Sequence, residues 1–105
     1  MNYNDFKTRC ENFGKYIGCE VEVKYYDLSA WGLIDWYAAY FQVDRFGGIA
    51  AEIAFINDNI RYEDSLLGKI IFSNLNEALS LVPMAVHDMR ERREGIALEE
   101  MANID

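Results

Sequence analysis

One run of this chain, 20–26, alternates between polar and apolar residues with a period of two, and two more, 36–44 and 49–56, resolve into two distinct faces when read as strands. In "CEVEVKYYD", Val21, Val23 and Tyr25 alternate with Glu20, Glu22, Lys24 and Tyr26, the pattern of a strand with one face in a core. In "DWYAAYFQVD", Tyr37, Ala39, Phe41 and Val43 fall on one face and Trp36, Ala38, Tyr40, Gln42 and Asp44 on the other. A helix over the same residues would be apolar nearly all round, so aromatic and β-branched content decides for a strand. In "IAAEIAFIN", Ile49, Ala51, Ile53 and Phe55 are expected inward, and Ala50, Glu52, Ala54 and Ile56 outward.

The connections limit how these runs combine. "RFGG" supplies glycines for a tight return, and "NDN" (Asn57–Asn59) is a hairpin signal leading into a short strand, "IRYE". Turns this short give an antiparallel meander of three to four strands. "LSAWGLI" has no clear period and reads as a loop or short helical turn with Trp31 as its anchor. "DSLLGKIIF" reads either as a loop ending in a short strand or as an excursion across an end of the sheet.

Helices flank the strands. Asn4 is placed to cap a helix over 5–17, with Phe6, Cys10, Phe13 and Ile17 on one stripe and Gly18 at the left-handed C-terminal position. Asn74 and Glu77 have capping-box spacing before a second stripe, Leu75, Ala78, Leu79, Val82, Val86 and Met89. Pro83 lies inside that stripe, lacks a backbone N–H, and is expected to kink or split the helix. The helix is expected to end near Gly95, leaving a short tail over 96–105.

The expected fold is therefore α+β: one domain over residues 1–105, α-β-β-β(-β)-α, with both helices on one face of an antiparallel sheet. This element order is similar to that of the double-stranded-RNA-binding fold. That family presents a basic helix start to phosphates, and no basic motif here matches it, so the resemblance implies no function and no site residue.

Eighteen acidic residues against ten basic ones give a net charge of −8. Such a balance opposes direct contact with nucleic acid or an anionic membrane and favours a basic partner. The opening "MNYNDFKTRC" is polar, without the apolar core of a signal peptide, and no apolar run approaches the roughly 18–20 residues of a membrane span. A cytoplasmic protein with two free thiols is expected. Cys10 and Cys19 would stand roughly 13 Å apart at helical rise, beyond the about 7 Å a disulfide tolerates.

Catalytic and cofactor signatures are weak throughout. His87, the single histidine, sits on a helix flank beside Asp88 and reads as a surface residue. Glu20 and Glu22 share a strand face, as solvated charges on any sheet do. "FGG" lacks the spacing and lysine of a phosphate loop. Two cysteines and one histidine have no zinc-ligand spacing. Arg90, Arg92 and Arg93 are interleaved with Glu91 and Glu94 and suit a late helical turn. No enzyme, cofactor or metal is expected.

The sheet's outer face carries the strongest functional expectation. Glu20, Glu22, Tyr26, Trp36, Tyr40, Asp44 and Glu52 would stand there together, large aromatics ringed by carboxylates. Trp and Tyr anchor interfaces, and carboxylates steer a basic partner. A short acidic domain of this kind fits the profile of phage- or mobile-element-encoded inhibitors, including anti-CRISPR and anti-restriction proteins, that occlude a basic surface on a partner protein. Two other readings compete: an aromatic-lined small-molecule pocket between the sheet and the Trp31 loop, and a homodimer that buries the same face.

Overall fold

Asn2 starts the first helix. The computed structural model describes residues 1–32, 34–43 and 48–102, with side chains described throughout except at Ser29 and residues 94–102. Asn2 has extended backbone angles, and its Oδ1 accepts the Asp5 N–H at 2.8 Å, so α1 runs Tyr3–Ile17. The cap is thus two residues earlier than the Asn4 expected from spacing. Gly18 ends the helix with φ +71°, and the Cys19 N–H returns to Gly14 O at 2.8 Å. Arg90 reaches back from the last helix to donate to Gly18 O at 2.8 Å, which ties that helix to the C-terminal end of α1.

Five strands follow in one antiparallel sheet: β1 (Glu20–Tyr26), β2 (Trp36–Gln42), β3 (Ile49–Ile56), β4 (Asn59–Asp64) and β5 (Gly68–Phe72). Spatial order equals chain order, and neighbouring strands are antiparallel. The "NDN" signal holds: Ile56 pairs with Asn59 across Asn57 and Asp58, whose φ of 53° and 64° supply the positive angles of a two-residue hairpin. "DSLLGKIIF" resolves into a second hairpin. Asp64 Oδ1 accepts the N–H of Leu66 at 2.8 Å and of Leu67 at 2.6 Å, and Gly68 takes φ +74°. Aspartate before the turn and glycine after it make the three-residue loop that lets β5 pair with β4.

One register irregularity corrects the expected inward set. Phe41 pairs with Ala51 but Gln42 with Ile49, so Ala50 is an extra residue on β3. The bulge inverts parity on one side of it: Ile49, expected inward, is 44% exposed, and Ala50, expected outward, is buried. Strand β2 also stops at Gln42, leaving Val43 in the bend that follows, and Asp44 lies outside the described residues.

The core lies on one side of the sheet. Phe6 and Cys10 from α1 meet Tyr37, Phe41, Ile53 and Tyr62, and α2 (Leu75–Leu79) and α3 (Val82–Ala102) add Leu75, Leu79, Val82 and Val86. Tyr62 is fully buried and satisfies its hydroxyl by donating to Asp64 and, at 3.3 Å, to Leu81 O. Pro83 does split the second helical region. Asn74 caps α2 by accepting the Asn76 N–H at 2.7 Å, α2 stops at Leu79, and α3 restarts at Val82 with Pro83 in its first turn, where no N–H is needed. Helix α3 then runs through Gly95 to Ala102, longer than the expected end.

Candidate partner-binding face

All three helices pack on the core side, and among the described residues no helix packs on the other. The alternation that put Val21, Phe41 and Ile53 inward leaves an open face built of cross-strand rows. One row reads Lys24–Ala38–Ala54–Arg61–Ile71 from β1 to β5, and the next reads Glu22–Tyr40–Glu52–Glu63–Lys69. Tyr26 and Trp36 pair at one end of the face, Glu20 and Gln42 at the other.

The aromatics hold one another in place. Tyr26 and Trp36 stack with ring centroids 4.1 Å apart and planes 12° from parallel. The Tyr26 and Tyr40 hydroxyls share a hydrogen bond of 2.9 Å, and the Lys24 ammonium stands 5.7 Å from the Tyr40 ring centroid. All three rings are half-buried. Beneath them Ala38 and Ala54 are fully shielded from water, although they belong to the open face. Two alanines side by side let the long neighbours fold down over them, so the face is flat and densely packed.

Carboxylates frame this patch. Glu20 and Glu22 are exposed on β1, while Glu52 is half-buried and paired with Arg61 at 3.2 Å. Glu22 lies 3.7 Å from Lys24 and accepts a 3.3 Å hydrogen bond from Gln42 Nε2. The Arg61 Nε is buried without a hydrogen-bond partner, its guanidinium meeting Glu52 through Nη2 alone. Of the seven residues expected at this site, Glu20, Glu22, Tyr26, Trp36, Tyr40 and Glu52 share the face. Asp44 lies outside the described residues. Sequence reasoning missed Glu63, Arg61 and Ile71, because their side depends on how β4 and β5 pair; Ile71 is 63% exposed there.

Trp31 is a correction. It closes a 3₁₀ turn, Ser29–Trp31, and is 80% exposed, so it does not anchor its loop by burial. Asp35 does the anchoring: its Oδ1 accepts the Leu28 N–H at 3.0 Å and its Oδ2 the Tyr25 hydroxyl at 2.7 Å.

The other sequence candidates have structural roles. His87 is exposed and 3.1 Å from Glu91, one turn along α3. Arg92 pairs with Asp88 at 2.9 Å, and Arg90 caps α1. Cys10 and Cys19 are free and buried. Among the described residues no group of histidine, cysteine and carboxylate side chains could hold a metal ion, and no helix is long and apolar enough to cross a membrane.

Burial sets a pH limit on this architecture. It pushes the Cys10 thiol up to about 12 and raises Cys19, Tyr37, Tyr40 and Tyr62, with hydrogen bonds to Tyr26 and Asp64 adding to the last two. Each raised group makes the folded state hold its proton more tightly than the unfolded state. The stability so contributed is complete below the unfolded thiol value of about 8.5 and is lost as pH rises toward the folded values. The melting temperature is therefore expected to be level from neutral pH to about 8.5 and to fall steadily above it. A melting temperature unchanged well into the alkaline range would contradict this.

No protein-family model, curated protein or solved structure matches the chain.

Proposed function

We propose that this is a non-enzymatic binding protein that captures a basic surface of a partner protein on the open face of its sheet. The reading rests on one observation: a mutually braced aromatic cluster, Tyr26, Trp36 and Tyr40, set among carboxylates on a sheet face that, among the described residues, no helix covers. Tryptophan and tyrosine are among the residues that supply most strong binding anchors. The stacked and hydrogen-bonded rings are ordered before any partner arrives, so little side-chain entropy remains to be lost on binding. The net charge of −8 speeds the approach of a basic partner and repels phosphate. By covering basic residues, such a protein blocks whatever those residues bind, nucleic acid included, in the manner of small phage-encoded inhibitors.

The test uses Trp36 as its own reporter. In a Trp31→Phe variant the one remaining tryptophan is Trp36, and an oligoarginine peptide is expected to shift its emission while an oligoglutamate peptide is not. Affinity should fall steeply as salt rises, because exposed charges are screened beyond a Debye length of about 8 Å at physiological ionic strength. Absence of any oligoarginine response at low salt overturns the reading. So does a dimer in sedimentation experiments whose Trp36 is shielded from quenchers, since a second copy then covers the face.

A further inference from the structure

The partner group and its regulation follow from a cation already on the face, and this step rests on the reading above. Lys24 Nζ lies where the Tyr40 ring and the Glu22 carboxylate meet, 5.7 Å from the ring centroid and 3.7 Å from Glu22 Oε1. We infer that the group this face takes from a basic partner is an arginine guanidinium, and that Lys24 occupies its place in the free protein as a built-in competitor.

The geometry of the Lys24 contacts carries the argument. The side chains of Lys24 and Glu22 are about half exposed, at 50% and 54%, and their 3.7 Å separation is long for an ion pair. The ammonium also stands near the outer limit of about 6 Å for attraction to a ring face. Being a point charge, it serves the ring and the carboxylate poorly at the same time. A guanidinium is planar: it stacks flat on an aromatic ring while its fork donates in plane to a carboxylate. Both acceptors are ready for it, since Gln42 Nε2 steadies Glu22 through Oε2 at 3.3 Å and the Tyr26 hydroxyl fixes Tyr40.

Arg61 makes the contrast. Its bond to Glu52 is 3.2 Å, with side chains only 30% and 23% exposed, so it stays as part of the platform. Lys24 is the cation held loosely enough to be displaced. The partner's arginine then takes over the Tyr40 ring and Glu22 while the lysine swings into water on its flexible stem.

The experiment compares two lysines. Lys24→Ala and Lys7→Ala each remove one positive charge, but Lys7 lies on α1, which packs on the opposite side of the sheet and pairs Lys7 with Glu11 at 3.9 Å. Oligoarginine titrations at physiological ionic strength, read by Trp36 emission in the Trp31→Phe background, are expected to tighten by about two- to fivefold for Lys24→Ala. Lys7→Ala is expected to leave affinity within its error, and oligolysine to bind the Lys24→Ala protein less tightly than oligoarginine. Equal gains for both lysine variants, or unchanged or weaker binding for Lys24→Ala and for a Lys24→Gln variant, overturn the competitor while leaving the capture reading standing. Failure of the unmutated face to respond to oligoarginine at low salt removes both.

Discussion

Replacing Gly14 by alanine is expected to lower the melting temperature by about 10 °C, against the intrinsic preference of a helix. In an exposed helix interior this change stabilises by roughly 0.5–1 kcal/mol, because glycine loses more backbone freedom on folding. At Gly14 the helix crosses β1 so closely that a Cβ would stand 2.9 Å from Cys19 O and collide with the Val21 Cγ2 methyl. The Cys19 carbonyl is backbone fixed by the αL turn at Gly18, so it cannot move aside as a flexible side chain would. Overpacking of this kind costs about 1–3 kcal/mol, which exceeds the helix gain. At about 4–8 °C per kcal/mol for a domain of this size, the net effect is readily measured by thermal melting. Asn12→Ala, on an exposed position of the same helix, is the comparison and is expected to be neutral or slightly stabilising. A Gly14→Ala protein as stable as wild type would show that α1 sits farther from β1 than described.

Removing Trp36 and Tyr40 together, both to alanine, is expected to weaken oligoarginine binding by about 100-fold or more while the domain stays folded. The two rings form the centre of the proposed contact, and each alanine leaves a hole that a flat partner cannot fill. Their contribution to stability is smaller, about 1–2 kcal/mol, because they lie over Ala38 and Ala54 and contribute nothing to the packing of Phe6, Phe41, Ile53 and Tyr62 on the other side. Calorimetry on the same samples separates the two effects. Binding that survives the double substitution overturns the capture reading. If the double variant does not fold, Glu20→Lys with Glu22→Lys carries the same expectation, since both side chains are exposed on edge strand β1.

Much of this site was legible in the chain because strand alternation has only two outcomes. Once Val21, Phe41 and Ile53 are assigned to the core, Glu22, Tyr40 and Glu52 have nowhere to go but the other face, and the structure places them side by side. The reading slipped where parity depends on a partner strand. Ile49 and Ala50 exchange sides because β3 carries an extra residue opposite Phe41 and Gln42, and nothing in "IAAE" marks a bulge. Strand β5 was ambiguous because "DSLLGKIIF" has apolar residues in both the turn and the strand. Its hairpin is set by Asp64 accepting two turn amides, which becomes visible only once β4 is known to end there. Asn2 and Asn4 are equivalent by composition, and the choice between them was made by where Met1 and Tyr3 must lie: Tyr37 donates to Met1 O at 2.6 Å, and Tyr3 meets the rings of Tyr25 and Tyr37.

The division has a physical basis. Local periodicity, Asn and Asp residues that tolerate positive φ and a proline without an N–H are properties of short segments, so they settled the helix–sheet–helix order, the hairpin at Asn57–Asp58 and the helix break before Pro83. The second face, on which no described helix packs, the shielded alanine floor, the exposure of Trp31 and the seat of Lys24 between Tyr40 and Glu22 depend on residues far apart in the chain. Those were decided only when five strands paired in register and all three helices chose the same side.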